Sequence, residues 1–359
     1  MKKELEQPEG ARKAPMPSSI EPMKAVLVDK PFSKPGWIFE NKWDGIRALT
    51  FIKDGKLKLV SRNEKDMTLR YPELANLPDW VDSTTAILDG EIVAINDKGK
   101  VDFHLLSTRF GVTNPEEIER LRKTQKIIYY VFDLIYLNGY DLMNSPLLER
   151  KSALKRAIKQ TTHFKFTPHV AVDGEKFFKK VEAEHREGMI AKRSESPYQQ
   201  RRSKDWLKVK TQMRQEFVIV GYSDPKGSRK YYGALELALY DGNILRSVGE
   251  VGTGFSDQTL RELYQKMKPL ETKTPPIDDD GVRRPDVHWV KPKLVAEVRF
   301  SEFTPDLKLR HPAFIGLRDD KDPKDCKFEI PKATEQIAKK QGAKNPIAKN
   351  SALSRLLKR

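Results

Sequence analysis

The sequence predicts an α+β domain followed by a small β-barrel. Three observations carry this. From about Ile20 to Thr211, strand-like and helix-like patterns alternate. After Lys210 the pattern changes to several short strands around one helix. Between the apolar positions Phe51-Ile52 and Leu57-Lys58-Leu59 stands Asp54-Gly55, a strong hairpin signal. Ala86 to Ile95 and Ile127 to Tyr136 read as buried strands. Ser145-Pro146 ahead of Leu147, Leu148, Leu154, Ala157 and Ile158 predicts a helix, with Ser as its cap and Pro in its first turn. Phe177, Phe178, Val181 and Glu184 lie on a second amphipathic helix that is expected to end near Gly188.

In the second half, strands are predicted over Glu216 to Tyr222, Ala234 to Tyr240, Ile244 to Val251 and Leu294 to Phe300. Ser256 caps a helix with apolar positions Leu260, Leu263, Tyr264 and Met267. Several strands and one helix in a segment this short suit a Greek-key barrel such as an OB-fold. The expected organisation is therefore a flexible lead over 1–20, an α+β domain over 21–212, a barrel over 213–330 with a surface loop at 271–286, and a basic tail over 331–359. That tail is expected to be partly helical at Ser351 to Leu357.

The 359 residues include 38% hydrophobic side chains, an ordinary globular composition. Sixty-seven Lys and Arg against 51 Asp and Glu give a net charge of +16, and 331–359 hold eight basic residues and one acidic. A polyanionic partner, most commonly nucleic acid, and a merely solvated basic surface both fit this balance. The tail is read as a phosphate-binding arm, with a merely soluble terminus as the alternative. The run Ile127 to Phe132 is far shorter than the roughly 18 apolar residues of a membrane-spanning helix. The first lysines have no apolar stretch behind them, so no secretory signal is expected. Cys326, the single cysteine, cannot form an internal disulfide, and His104, His163 and His169 lack metal-ligand spacing.

Chemistry gathers elsewhere. Trp37-Ile38-Phe39 leads into Glu40-Asn41-Lys42-Trp43-Asp44-Gly45-Ile46-Arg47. Asp44-Gly45 is expected to make a tight turn that fixes the Lys42 amine at a pocket floor; an ordinary hairpin with a solvated lysine is the alternative. Asp89 and Glu91 sit two apart in an apolar strand and share a face. Two carboxylates there are costly unless paired or used. Glu187 stands at a helix-to-strand junction, and Lys208 and Lys210 share one face of a strand. Phe132-Asp133 ends another strand with an aromatic ring. Together these give an amine, acids for a metal, phosphate-binding cations and a planar ring for stacking.

At this point the sequence resembles the covalent nucleotidyltransferases, and among them the ATP-dependent DNA ligases, over about residues 20–330. Six motifs occur in family order: Lys42-Trp43-Asp44-Gly45-Ile46-Arg47, Ser61-Arg62-Asn63, Leu88-Asp89-Gly90-Glu91, Phe132-Asp133, Glu187-Gly188-Met189 and Trp206-Leu207-Lys208-Val209-Lys210. Arg310-His311-Pro312 through Arg318-Asp319-Asp320-Lys321 completes the set. The branch it resembles is the ligase domain of bacterial ligase D, an end-joining enzyme, with Val251-Gly252-Thr253-Gly254-Phe255 and His288-Trp289-Val290 as further marks. Within this chain there is no room for the polymerase and nuclease domains that such proteins often carry. Asn41 stands where the family usually has an apolar residue.

The resemblance implies an adenylation domain of antiparallel sheets with helices, then an OB-fold. It implies ATP and Mg²⁺ or Mn²⁺ as cofactors. Lys42 would attack the α-phosphate to form lysyl-AMP; the adenylate would pass to a DNA 5′-phosphate, and a 3′-hydroxyl would then seal the nick. By the same resemblance Glu40 contacts adenine and Phe132 stacks on it. Arg47, Arg62 and Arg202 reach nucleotide or nick phosphate, Glu91 the ribose, and Lys208 and Lys210 the α-phosphate. Glu187, with Glu91, is the metal ligand. Arg318 and Lys321 orient pyrophosphate, which requires the barrel to close and later to turn onto DNA. A free lysine at neutral pH needs about 4 kcal/mol to lose its proton. Burial, Lys208, Lys210 and a metal are expected to reduce that cost. The implied partners are nicked duplex DNA and Ku, for a monomeric, cytoplasmic, nucleoid-associated protein of bacterial type. An RNA ligase or a capping guanylyltransferase shares the lysine chemistry, and a non-catalytic DNA-end-binding module is the alternative of a different class. ATP against GTP and nicked DNA against nicked RNA separate these.

Overall fold

A computed structural model describes residues 8–225, 227, 229–278 and 285–334. The chain divides into two compact units, with breaks after Thr211 and after Ile330. The first unit contains two sheets. A seven-stranded sheet runs, in spatial order, Arg12–Lys13, Tyr140–Asp141, Lys126–Leu137, Thr85–Ile95, Ile46–Lys53 and Lys56–Ser61, with Phe164–Phe166 added in parallel beside Lys126–Leu137. A five-stranded sheet runs His169–Ala171, Trp37–Asn41, Gly188–Arg193, Arg202–Lys210 and Lys24–Leu27. Its last pair is parallel.

Local chemistry explains the connections. Asp54 and Gly55 adopt φ of 50° and 76°, the paired positive values that a two-residue hairpin needs, and Lys53 faces Lys56. Asn138-Gly139 makes a second such hairpin, unforeseen above, at φ of 47° and 92°. The helix Leu147–Ala157 forms where expected, but Pro146 itself is its N-cap and no side chain caps it. The residue before a proline is held extended, so Ser145 stands outside the helix and is fully buried. The helix Gly174–Ala183 stops earlier than Gly188. His185 adopts φ of 54°, the Arg186 amide donates to the Val181 carbonyl, and the His185 amide donates to that of Glu182. That is a Schellman termination with His in the usual glycine position.

One face of the five-stranded sheet is apolar: Trp37, Phe39, Met189, Ala191, Leu207 and Val209 pack with Phe178 of the helix Gly174–Ala183. Between the two sheets Trp206 joins Leu49, Phe51, Ile87, Phe132 and Tyr198. After Ile330 the chain returns to the first unit. Lys332 bridges Val28 in parallel, and the Thr334 amide and hydroxyl donate to Asp29 Oδ1 at 2.9 and 2.8 Å.

The second unit is a five-stranded antiparallel sheet in the order Ile244–Val251, Leu235–Asp241, Met213–Ser223, Val287–Phe300 and Ala313–Leu317. The outer strands curl toward one another. The Leu309 amide donates to Val248 and the Phe314 amide to Thr253. A Cβ on Gly254, at φ of 92°, would run into the Phe314 carbonyl, so this closure requires glycine. The helix Asp257–Met267, capped by Ser256, adds Leu260, Leu263 and Met267 to the core. This is the OB-type barrel expected above, with its first and fourth predicted strands longer than foreseen. No helix among the described residues is long and apolar enough to cross a membrane. The tail from 335 on and its expected helix lie outside the described residues.

Candidate active site

The expected tight turn at Asp44-Gly45 is a switch between sheets. Trp37–Asn41 belongs to the five-stranded sheet and Ile46–Lys53 to the seven-stranded one, so Lys42 stands on the short crossing between them. Gly45 has no positive φ; it is glycine because a Cβ would strike the Ile92 carbonyl. The Lys42 amide donates to the Gly188 carbonyl at 2.9 Å. The Lys42 ammonium pairs with the Glu187 carboxylate. Glu187 is brought there by the strand that begins at Gly188, which itself lacks room for a Cβ against the Val209 carbonyl.

Strand alternation does the rest. Glu40 faces Ile190, Lys192 faces Trp206, Ile190 faces Lys208 and Gly188 faces Lys210. Glu40, Lys192, Trp206, Lys208 and Lys210 therefore share the face opposite the apolar one, and Lys42 continues the alternation. Lys208 and Lys210 are partly buried. The charge balance around Lys42 differs from expectation. Burial pushes its ammonium toward deprotonation, but Glu187, then Asp44 and Glu91, outweigh that and hold its pKa above the ordinary lysine value.

The two acids of the Asp-Gly-Glu strand have separate environments. Asp89 is fully buried and accepts from Arg47 Nε and Nη2 at 2.8 and 2.5 Å and from the Tyr198 hydroxyl at 2.7 Å. Arg47 also donates to the Met23 carbonyl. Glu91 lies across from Arg47 and Tyr130 and is partly buried. Arg62 Nε is buried without a hydrogen-bond partner, as is Asn41 Oδ1. Arg202 is exposed and donates to the Ala25 carbonyl. Phe132 is only 9% exposed, edge-on to Trp206, with Lys192 Nζ 4.3 Å and Arg47 5.4 Å from its ring centre. A base stacking on Phe132 would have to use what these neighbours leave open. Glu40 is buried between Lys151 Nζ at 2.6 Å and Lys192 Nζ at 2.7 Å. Burial disfavours its charge, yet the two lysines outweigh that and hold the carboxyl below its usual range.

In the second unit, Arg318 and Lys321 are engaged with acids. Arg318 donates to both Asp320 oxygens at 2.8 Å and to Glu297, and Lys321 pairs with Glu216 at 2.7 Å. Among the described residues no three His, Cys, Asp or Glu groups gather as metal ligands. Glu187 and Glu91 are hard oxygen donors of the kind Mg²⁺ takes in ones and twos beside phosphate and water.

Trp43, part of the first motif, and three residues not foreseen also border the site. Trp43 stacks on Tyr130 at 3.7 Å and 11°, and its indole N–H donates to Thr167. Lys151 and Arg150 carried a usable signal: both interrupt the apolar stripe of Leu147, Leu154 and Ala157 on their helix and are fully buried there. Thr167 carried none.

A lysine on a sheet crossing, faced by an acid and flanked by strand lysines, in a two-sheet unit followed by an OB-type barrel, defines the covalent nucleotidyltransferase class. A family model for the ATP dependent DNA ligase domain matches residues 21–210, and one for the ATP dependent DNA ligase C terminal region matches residues 228–321. The chain belongs to the ATP-dependent DNA ligase family. It is 36% identical over 330 residues to the multifunctional non-homologous end joining protein LigD of Pseudomonas aeruginosa, covering 89% of this chain and 38% of that protein. To the LigD of Mycolicibacterium smegmatis it is 34% identical over 297 residues, covering 82% of this chain and 37% of that protein. The chain thus spans well under half the length of these relatives. A solved structure of mycobacterial DNA ligase D complexed with ATP and MES aligns with a TM-score of 0.60 and 32% identity, covering 86% of this chain and 97% of that one.

Proposed function

We propose that this chain seals 5′-phosphate/3′-hydroxyl nicks in duplex DNA with ATP, through lysyl-AMP and DNA-adenylate, in DNA repair and end joining. The observation that supports it most is the Lys42 amine, paired with Glu187 on a sheet face that also carries Lys208 and Lys210. Lys42 Nζ attacks the α-phosphorus of ATP; the N–P bond forms as the P–O bond to pyrophosphate breaks. Lys208 and Lys210 offset charge on the α-phosphate oxygens. The Lys42 ammonium must first pass its proton to a base, either the paired Glu187 carboxylate or solvent. Glu187 and Glu91 would hold the Mg²⁺ or Mn²⁺, which supplies charge neutralisation at the phosphates. Arg62, with a buried unpaired N–H, is suited to a ribose or phosphate oxygen. For Arg318 and Lys321 to orient pyrophosphate, they must exchange Asp320, Glu297 and Glu216 for phosphate oxygens. Residues 21–212 act as the adenylation domain and 213–330 as the OB domain of a monomer that meets Ku at DNA ends.

The test is incubation with α-labelled ATP and Mg²⁺, followed by denaturing electrophoresis, then ligation of nicked DNA. Wild-type protein should carry label and seal the nick, and Lys42→Ala should do neither. An adduct at wild-type level on Lys42→Ala overturns the assignment.

A further inference from the structure

We propose that Thr167 and Lys151 are positioning residues for the nucleophile, clamping both flanks of the segment that presents Lys42. The proposal rests on the lysyl-AMP reading above. Lys42 sits on a sheet crossing, one residue past the strand Trp37–Asn41, where its amide still bonds to the Gly188 carbonyl but the chain then leaves that sheet. Its flanks are tied to a single junction. On one side Trp43 stacks on Tyr130 and donates its indole N–H to Thr167 Oγ1 at 3.1 Å. On the other, Glu40 pairs with Lys151 Nζ at 2.6 Å. Lys151 Nζ in turn donates to the Thr167 carbonyl at 3.1 Å, closing the path from Glu40 through Lys151 and Thr167 to Trp43.

The junction is built to be rigid. Thr167 is fully buried, and its amide donates to the Val131 carbonyl at 2.8 Å, fixing it to the strand Lys126–Leu137 that also carries Tyr130. Lys151 is 1% exposed and lies 4.5 Å from the Phe166 ring centre. A buried ammonium is costly unless each proton finds an acceptor. Here Glu40 and the Thr167 and Phe132 carbonyls surround it. Neither Thr167 nor Lys151 belongs to the motif series, and both act on Lys42 only through its neighbours. In-line attack tolerates little misplacement, and an error of about 1 Å can cost a hundredfold.

The experiment is single-turnover formation of lysyl-AMP with α-labelled ATP and Mg²⁺, compared with sealing of a pre-adenylated nick, a step that does not use the Lys42 amine as nucleophile. Thr167→Val removes the acceptor oxygen and keeps the shape and the carbonyl. Its adduct rate constant at saturating ATP should fall about tenfold, with KM for ATP and sealing of the pre-adenylated nick within about twofold of wild type. Thr167→Ser should restore the rate. Trp43→Phe keeps a ring on Tyr130 but lacks the N–H donor, so it should show the same loss, and the double variant should be no worse than either single one. Lys151→Met should show the same step-selective loss and Lys151→Arg a partial recovery; if Lys151→Met does not fold, the Thr167 series decides. A wild-type adduct rate in Thr167→Val, additive losses in the double variant, or equal loss in both steps overturns the clamp. Wild-type label retained on Lys42→Ala overturns the lysyl-AMP reading itself, and the clamp with it, so the two failures are distinguishable.

Discussion

Asp133 offers a sharp separation between a structural acid and a metal ligand. It follows Phe132, close to the candidate site, and is fully buried. Arg150, also fully buried, donates to its two oxygens at 2.8 and 2.9 Å, and the Leu134 amide donates at 2.9 Å. Arg150 spends another nitrogen on the Ser145 and Ser196 carbonyls at 2.6 and 2.9 Å. Asp133→Asn keeps the volume but removes the countercharge. Breaking a buried pair from one side costs about 3–5 kcal/mol. The two carbonyls that Arg150 retains place the expectation at the lower end, about 3 kcal/mol. In a unit of this size each kcal/mol moves Tm by roughly 2–4 °C, so Tm should fall by about 6–12 °C. The assay is thermal unfolding followed by circular dichroism, run beside lysyl-AMP formation well below the transition. Adduct formation there should survive. A Tm within about 2 °C of wild type together with abolished metal-dependent adduct formation would show that Asp133 binds metal and that the ion pair contributes little.

Other outcomes follow from the same geometry. Glu187→Gln removes the carboxylate that most raises the Lys42 pKa, so the rise of adduct formation with pH should move to lower pH, whatever the maximal rate; a profile that stays put or moves to higher pH refutes the pairing. Glu40 has its carboxyl held below the ordinary value, so its contribution to stability is present above the unfolded carboxyl pKa and lost as pH falls through the folded one. Glu40→Gln should therefore flatten the acid limb of a stability-against-pH curve, and an unchanged limb argues against the lysine pair as its cause. Gly254→Ala places a Cβ against the Phe314 carbonyl at a positive φ, and should destabilise the barrel by about 2 kcal/mol or more, read as faster amide exchange in Ile244–Val251 and Ala313–Leu317.

Much of the fold was readable because its signals are local. Asp54-Gly55 set a hairpin, Ser256 capped a helix, and Ile244 to Val251 formed a strand over the expected range. Asn138-Gly139 carried an equal signal and went unread. The sheet switch at Lys42 was not readable: a strand, a glycine and another strand look the same whether the second strand returns to its own sheet or joins another. Only distant pairings decide, here Met189 with Asn41 and Gly90 with Ala48. The family motifs located the reactive side chains in advance. They did not reveal what holds them, because Asp89 with Arg47, Glu40 with Lys151 and Trp43 with Thr167 are contacts between residues far apart in the chain. The acids beside Lys42 were likewise not weighed: Glu187 and Glu91, far away in the chain, join Asp44 in favouring its ammonium.

Lys332 and Thr334 bear on how the barrel is inherited and handled as a part. With both its ends captured by strands of the first unit, the segment from Gln212 to Ile330 is spliced into its host as a pendant is threaded on a closed cord. A single protease nick after Thr211 breaks the covalent link, and the bonds of Lys332 and Thr334 to Val28 and Asp29 are then what ties the cut fragment to its host. A graft of another barrel needs two matched seams.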